Sequence, residues 1–216
     1  MKFGVALLRF DGGAGELGVL AALDSLGVKV GAISGVGINA VGAMLYASGT
    51  DALSACKTVT DLSPHKSLRD ILFRSKARGR KRLIAELERA RVKRLCDMRI
   101  PVYLMVADRD GQITVITSDK GFISGSYGKK CELSAVSAAD LILQCSKNRV
   151  ERGINFKNPL EMQNIDAIIS ISGEERKSGR TDYGYNLSLG KSNAFKTAYD
   201  GVISENEEML KSIFLR

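Results

Sequence analysis

The sequence predicts a single α/β domain in which helices flank both faces of a central, mostly parallel sheet, giving a three-layer sandwich. Its 216 residues, 44% of them apolar, are enough for one sizeable core and too few for two independent domains. Strand and helix patterns alternate along the N-terminal third, and β-branched strand patterns return further on. We therefore treat residues 1–216 as one domain.

Four segments carry the alternation in the N-terminal third. The two helical ones are predicted to end at Gly27 and Gly49, because glycine readily takes the left-handed backbone that closes a helix. A strand–helix–strand–helix order implies parallel strands joined by right-handed crossovers. In chain order the segments are a buried strand "KFGVALL" (2–8), a helix "GELGVLAALDSLG" (15–27), a strand "VKVGAIS" (28–34) and a helix "NAVGAMLYASG" (39–49).

The remaining chain alternates less regularly. Two β-branched runs separated by Asp110-Gly111 predict a hairpin, and the polar, Gly/Ser-rich stretch 173–192 is expected to be an exposed loop. The other predicted elements are helices throughout 51–95, the hairpin within 100–118, a helix over 135–145, a turn or short helix over 158–164, a buried strand over 165–172 and a closing helix over 193–215.

The net charge of +8 is concentrated in residues 65–94, which contain twelve Lys or Arg and three acidic residues. The net charge of the rest of the chain is therefore near −1. Apolar residues recur there at near-helical spacing, which is typical of an amphipathic helix. The segment is either a solvated helix face or a surface for anionic lipid headgroups centred on Arg80, Lys81 and Arg82. Nucleic acid is disfavoured as a partner, because Phe73 is the one aromatic residue interleaved there.

No stretch approaches the roughly 18 apolar residues that a membrane helix needs, and the N-terminus "MKFGVALLRFDGG" lacks a signal-peptide pattern. We expect a cytoplasmic protein whose basic segment gives it a possible peripheral contact with membranes.

Cysteine and histidine usage indicates neither a metal site nor a disulfide framework. Cys56, Cys96, Cys131 and Cys145 lie far apart without a C-x-x-C pair, and we expect them to be reduced and buried. His65 is the single histidine. No metal and no cofactor is predicted.

Two glycine-rich joints follow the first two predicted strands, "RFDGGAG" (9–15) and "SGVGINAVG" (34–42). In a parallel sheet both joints open onto the carboxyl edge of the strands, where helix N-termini direct backbone N–H groups at ligands. Function should be sought at this edge.

The chain resembles the patatin-like phospholipases, acyl hydrolases with a Ser-Asp dyad and no catalytic histidine. The resemblance rests on four stretches in the family's order, spread over most of the chain: "MKFGVALLRFDGGAGELGVLAALDSLGV", "ISGVGINAVGAMLYASG", "LCDMRIPVYLMVADRDGQITVITS" and "NPLEMQNIDAIISIS". It implies the family's oxyanion loop in the first stretch and its nucleophile elbow, G-x-S-x-G, in the second.

The elbow positions depart from the family. Counting back from Tyr46 places the pentapeptide on Gly35–Asn39, which puts Gly37 at the nucleophile and Asn39 at the last glycine. No hydroxyl is present there to attack an ester. Glycine also relieves the strain of about 1–3 kcal/mol that another residue would carry at such an elbow.

The other two catalytic elements depart as well. Counting back from Pro159 places the acid at Glu151, one methylene longer than the family's aspartate. The oxyanion loop is aligned with Asp11, Gly12 and Gly13 and lacks the family's arginine, and a carboxylate at Asp11 would oppose a developing oxyanion.

Three functions remain open. The first is a catalytically degenerate protein that binds a lipid, an acyl chain, an anionic ligand or a protein partner. The second is a weak or unorthodox lipid acyl hydrolase, with Ser34, Cys145 or Ser146 as substitute nucleophiles. The third is a dinucleotide-binding domain, suggested by a literal G-x-G-x-x-G over 13–18; that fingerprint starts several residues after the strand, and no acid ends the second strand.

Overall fold

The computed structural model describes residues 3–7, 13–62, 74–107, 113–118, 133–145, 158–162, 164–172, 183–186 and 194–214. Its centre is a six-stranded sheet in the order β4-β3-β2-β1-β5-β6. The strands are β1 (Phe3–Leu7), β2 (Val30–Val36), β3 (Val102–Ala107), β4 (Ile113–Thr117), β5 (Ala167–Ser172) and β6 (Tyr183–Asn186).

All neighbouring strands of this sheet run parallel except β3 and β4, which are antiparallel. The predicted hairpin is therefore confirmed, although its turn at Asp110-Gly111 lies outside the described residues. Leu7 pairs with Gly35 and Gly35 with Leu104, so the carboxyl ends of β1, β2 and β3 meet at one edge. That edge holds the joint between β2 and the helix that follows.

Six α-helices pack with the sheet in the described part of the chain. They are α1 (Ala14–Ser25), α2 (Ile38–Ser48), α3 (Ala52–Leu62), α4 (Arg74–Arg89), α5 (Ala135–Cys145) and α6 (Ala194–Phe214), with 3₁₀ turns at Leu95–Asp97 and Pro159–Met162. As predicted, Gly27 and Gly49 close α1 and α2, with φ angles of 77° and 93°.

Two buried clusters show the layers. Each of these helices contributes to the larger cluster, together with alternate strand residues such as Val5 and Ile33. The other face of the sheet, which carries Ala6 and Tyr103, packs against Leu160 of the second 3₁₀ turn and forms the smaller cluster. The sheet thus lies between two outer layers, and the predicted three-layer α/β fold is confirmed.

Helix α6 packs closely on α1 because Gly18 lacks a side chain. A Cβ atom at Gly18 would overlap the carbonyl oxygen of Phe195, closer than real Cβ atoms essentially ever come to another atom. Ala198 and Val202 of α6 are buried in the same region. The closing helix is therefore seated by a backbone contact as well as by apolar side chains.

Three expectations need correction. Tyr183–Asn186 forms β6 beside β5 inside the stretch expected to be a loop, because strand pairing outweighs a sequence with no β-branched residue. The helical run expected over 51–95 breaks after Arg89, and Arg91 has a φ of 58°. Of the cysteines, Cys56 is a buried free thiol, whereas Cys96 and Cys145 are free thiols that are only partly buried; Cys131 and His65 lie outside the described residues.

Among the residues that the structure describes, no helix is both long and apolar enough to cross a membrane.

Candidate functional site

The joint between β2 and α2 turns sharply at Gly37. This residue has φ 57° and ψ −132°, a conformation that residues with a Cβ rarely adopt. Its N–H donates to the carbonyl oxygen of Met105 at 3.3 Å, and its carbonyl oxygen accepts from Ala40 N–H at 3.1 Å. The backbone is therefore held in this conformation from both sides, as a strand-to-helix elbow requires.

Gly35 allows α2 to cross directly over the end of β2. A Cβ atom at Gly35 would lie 2.6 Å from the carbonyl oxygen of Asn39 and 2.9 Å from the Cα atom of Ala40. Both contacts are with backbone, so no side-chain movement could relieve them. The crossing of α2 over β2 therefore depends on the absence of a side chain at Gly35.

Asn39 joins the first turn of α2 to the first turn of α1. Its Nδ2 donates to Oε1 of Glu16 at 3.1 Å, and both side chains are fully buried. A Cβ atom at Gly13 would lie 3.3 Å from Oδ1 of Asn39 and 2.4 Å from Cγ1 of Val59. The space between the two helix starts is thus filled by side chains.

Glu16 was not predicted as a site residue. The available signal was a carboxylate in the first turn of a largely apolar helix, where such a group is expected to be either exposed or paired.

The thiol of Cys56, on α3, is poorly suited to act as a nucleophile. Burial is the largest effect and raises the pKa of Cys56, whereas the hydrogen bond with the Thr60 hydroxyl lowers it by less. The charges of Glu16, which raises this pKa, and Lys57, which lowers it, have smaller effects. Since the thiolate is the reactive form, this thiol is inert at neutral pH.

Ser34 lies on the other face of the sheet from α2. Its Oγ donates to Oδ1 of Asn158 at 3.1 Å, and the same oxygen accepts from Leu160 N–H at 3.2 Å. Ser34 and Asn158 are both fully buried, so the Ser34 hydroxyl is not available to a substrate.

Asn158 was not predicted as a site residue either. The sequence signal that could have indicated it is the Asn-Pro pair at the start of a 3₁₀ turn, where the asparagine side-chain oxygen accepts a hydrogen bond from a backbone N–H of the turn.

Several predicted site residues lie outside the described part of the chain. These are Asp11 and Gly12 of the oxyanion loop, the acid position Glu151, and Ser146. Gly13 is described and lies directly before α1. The dyad acid and most of the oxyanion loop therefore remain predictions. Among the described residues, no group of three or more His, Cys, Asp or Glu side chains is placed to hold a metal ion.

The predicted anion-binding residues on α4 are partly engaged within the protein. Arg80 makes two hydrogen bonds to Asp140 of α5, at 2.9 and 2.8 Å, and holds the pKa of that carboxyl below its usual value. Arg82 pairs with Asp61 of α3 at 2.7 Å. Lys81 is exposed and forms no ion pair with a described residue. Two of the three cations therefore fasten α4 to its neighbours.

Comparison with known proteins gives a structural match. No protein-family model matches the chain, and no curated protein matches it in sequence. A chain in the crystal structure of full-length SpcU in complex with full-length ExoU, from the type III secretion system of Pseudomonas aeruginosa, superposes with a TM-score of 0.53 at 14% identity. The likeness is one of fold. It covers 98% of this chain and 52% of that one, so this protein spans about half the length of the matched chain.

Proposed function

We propose that the chain is a catalytically degenerate patatin-like protein that binds a lipid, acyl or anionic ligand, or a protein partner, without hydrolysing it. The observation that carries the proposal is Gly37, a residue without a hydroxyl, in the strained backbone of a strand-to-helix elbow. An acyl hydrolase of this kind needs an activated nucleophile at that point.

The surroundings of the elbow support the proposal. The hydroxyl of Ser34 is buried on the opposite face of the sheet, and the pKa of Cys56 is raised. Asn39 stands where the family has glycine, and its amide binds Glu16 instead of leaving open space beside the elbow. Ser34 and Cys56 are therefore unsuited to replace the missing serine, and Cys145 lies at the end of α5, outside the elbow.

Without a nucleophile, the carboxyl edge of β1 and β2 can still bind a ligand. Two helices begin there, and helix N-termini favour carboxylates, phosphates and other anions. A protein partner is the other candidate, and the matched fold occurs in a crystal structure of two proteins in complex. Peripheral contact with anionic membranes through residues 65–94 is a lesser candidate, because Arg80 and Arg82 already form ion pairs.

Assays of ester hydrolysis test the proposal that the protein is catalytically inactive. Purified protein should release no p-nitrophenol from short or long acyl esters, and no fatty acid from phospholipid vesicles, above a buffer blank. The variant Glu151→Ala should behave identically, with Glu88→Ala as the control for loss of an exposed carboxylate. Turnover that survives repurification and disappears in Glu151→Ala alone would favour the alternative, a weak lipid acyl hydrolase.

Thermal unfolding tests the binding. A ligand that binds the folded state at 100 times its Kd adds about 2.7 kcal/mol of stability. We expect a rise in Tm with palmitate, dodecyl phosphate or inorganic phosphate, and none with dodecyl maltoside, which lacks the anion. A rise with NAD alone would favour the remote alternative of a dinucleotide-binding domain, and no rise with any anion would leave the protein partner as the surviving candidate.

A further inference from the structure

A buried polar cluster lies near the carboxyl end of β2, on the face of the sheet away from α2. It consists of Ser34 of β2 together with Asn158 and Glu161, which begin and belong to the second 3₁₀ turn. Ser34 and Asn158 are fully buried. Glu161 is partly exposed, but its Oε1 atom is buried. The cluster therefore joins the sheet to the turn just below the protein surface.

The oxygen of the Asn158 amide is fully engaged. Its Oδ1 accepts from Ser34 Oγ at 3.1 Å and from Leu160 N–H at 3.2 Å. These donors fix the orientation of the amide, because a flipped amide would place its NH₂ group against the Leu160 N–H. The Nδ2 group of Asn158 therefore points away from both donors.

Two buried atoms of this turn have no hydrogen-bond partner among the described residues, Nδ2 of Asn158 and Oε1 of Glu161. Their residues lie one turn apart, since Glu161 N–H donates to the Asn158 carbonyl oxygen at 3.1 Å. Side chains three residues apart in a 3₁₀ turn lie one above the other. Buried polar groups are almost always bonded to protein or to ordered water. One donor and one acceptor on the same side of the turn are thus available to a bound molecule.

The two atoms select the chemistry of that molecule. A metal cation would meet the hydrogens of the Asn158 amide, and an anion would meet the Glu161 carboxylate. The occupant must instead accept one hydrogen bond and donate another, and it must fit beside a side chain that is fully enclosed. Water meets both conditions, and buried waters typically make about three hydrogen bonds to groups of this kind.

We propose that this cluster binds one water molecule between the Asn158 amide and the Glu161 carboxylate. The water accepts from Nδ2 and donates to Oε1. A continuous hydrogen-bond chain then runs from Ser34 Oγ through the amide and the water to Glu161, and each member polarises the next. The site anchors the strand that leads to the elbow. The inference goes beyond the proposed function, because it does not depend on any ligand at Gly37.

NMR spectroscopy of the full chain tests the site directly. The side-chain NH₂ protons of Asn158, assigned by their loss in Asn158→Asp, should show a dipolar cross-peak to the water resonance. Its sign should be that of a water that tumbles with the protein, and a rotating-frame experiment separates this contact from proton exchange.

Three variants make the test specific. Glu161→Met keeps the length of the side chain but removes both oxygens, and it should abolish the cross-peak. Glu161→Gln should retain it, because the amide oxygen can accept in place of the carboxylate. Ser34→Ala should also retain it, because Leu160 N–H still holds Oδ1 of Asn158 in place. Circular dichroism shows whether each variant is folded.

A high-resolution crystal structure of the unsubstituted protein gives a test that needs no variant. We expect a water within about 2.7–3.2 Å of both Nδ2 of Asn158 and Oε1 of Glu161. A direct bond between these two atoms, with no water between them, would overturn the proposal. So would the absence of the cross-peak in the unsubstituted protein, or an undiminished cross-peak in folded Glu161→Met.

Discussion

Replacing Gly37 by serine introduces a hydroxyl at the proposed nucleophile position, and we expect it to destabilise the protein without creating activity. At φ 57° and ψ −132° a side chain costs about 1–3 kcal/mol. Serine has less conformational freedom than glycine in the unfolded chain, which offsets at most about 0.4–1 kcal/mol of this cost. For a domain of this size each kcal/mol changes Tm by about 2–4 °C, so Gly37→Ser should lower Tm by several degrees.

Two other glycines provide matched controls. Gly27 has a φ of 77° and no atom within 4 Å of an added Cβ, so Gly27→Ser measures left-handed strain alone, a cost of about 1 kcal/mol. Gly201 lies in α6 with the same open surroundings and no positive φ, so Gly201→Ser should leave stability unchanged or raise it by up to about 0.5 kcal/mol.

Urea unfolding followed by circular dichroism gives the three free energies under one set of conditions. The expected order of stability is Gly201→Ser, then Gly27→Ser, then Gly37→Ser. If Gly37→Ser matched the unsubstituted protein while Gly27→Ser lost stability, Gly37 would not occupy a strained elbow. The placement of the nucleophile position would then be wrong.

The remaining predictions concern rescue and the support of the elbow strand. Gly37→Ser combined with Asn39→Gly and Glu151→Asp should give a weak esterase that a fluorophosphonate labels covalently, because catalytic residues act as one unit; a folded but unlabelled triple variant would implicate the oxyanion loop. Ser34→Ala should cost about 1 kcal/mol, since the Asn158 oxygen keeps its Leu160 N–H donor. Asn158→Ala should cost about 1–3 kcal/mol, because it leaves a buried hydroxyl and a buried N–H without that acceptor; equal losses in the two variants would contradict this account.

Local chain signals were sufficient to predict the elements around the elbow. The left-handed glycines Gly27 and Gly49 end α1 and α2 where the sequence places them, because helix termination depends on the conformation of a single residue. The close crossing at Gly35 was not predicted, although it too depends on a single residue without a side chain. Predictions of this kind need no knowledge of distant residues.

What the sequence could not predict depends on pairings between distant residues. In the sequence, Glu16 is an ordinary acidic residue at the start of a helix, and its hydrogen bond with Asn39 is visible only in the three-dimensional structure. The cations Arg80 and Arg82 look like a free basic patch in the sequence, and only the packing of α4 brings them to carboxylates on α5 and α3. Strand β6 likewise depends on β5 for its hydrogen bonds.

The strand order sets a condition on how the chain can be synthesised. The central strand β1 pairs on one side with β2, which follows soon after it, and on the other with β5, about 160 residues later. At about 5–20 residues per second, translation leaves that second edge of β1 open for roughly 8–30 seconds. An uncovered apolar strand edge is a site of aggregation. Nascent chains that stop before Ala167 should therefore depend on chaperones for solubility, whereas the finished chain closes the edge with its own strand.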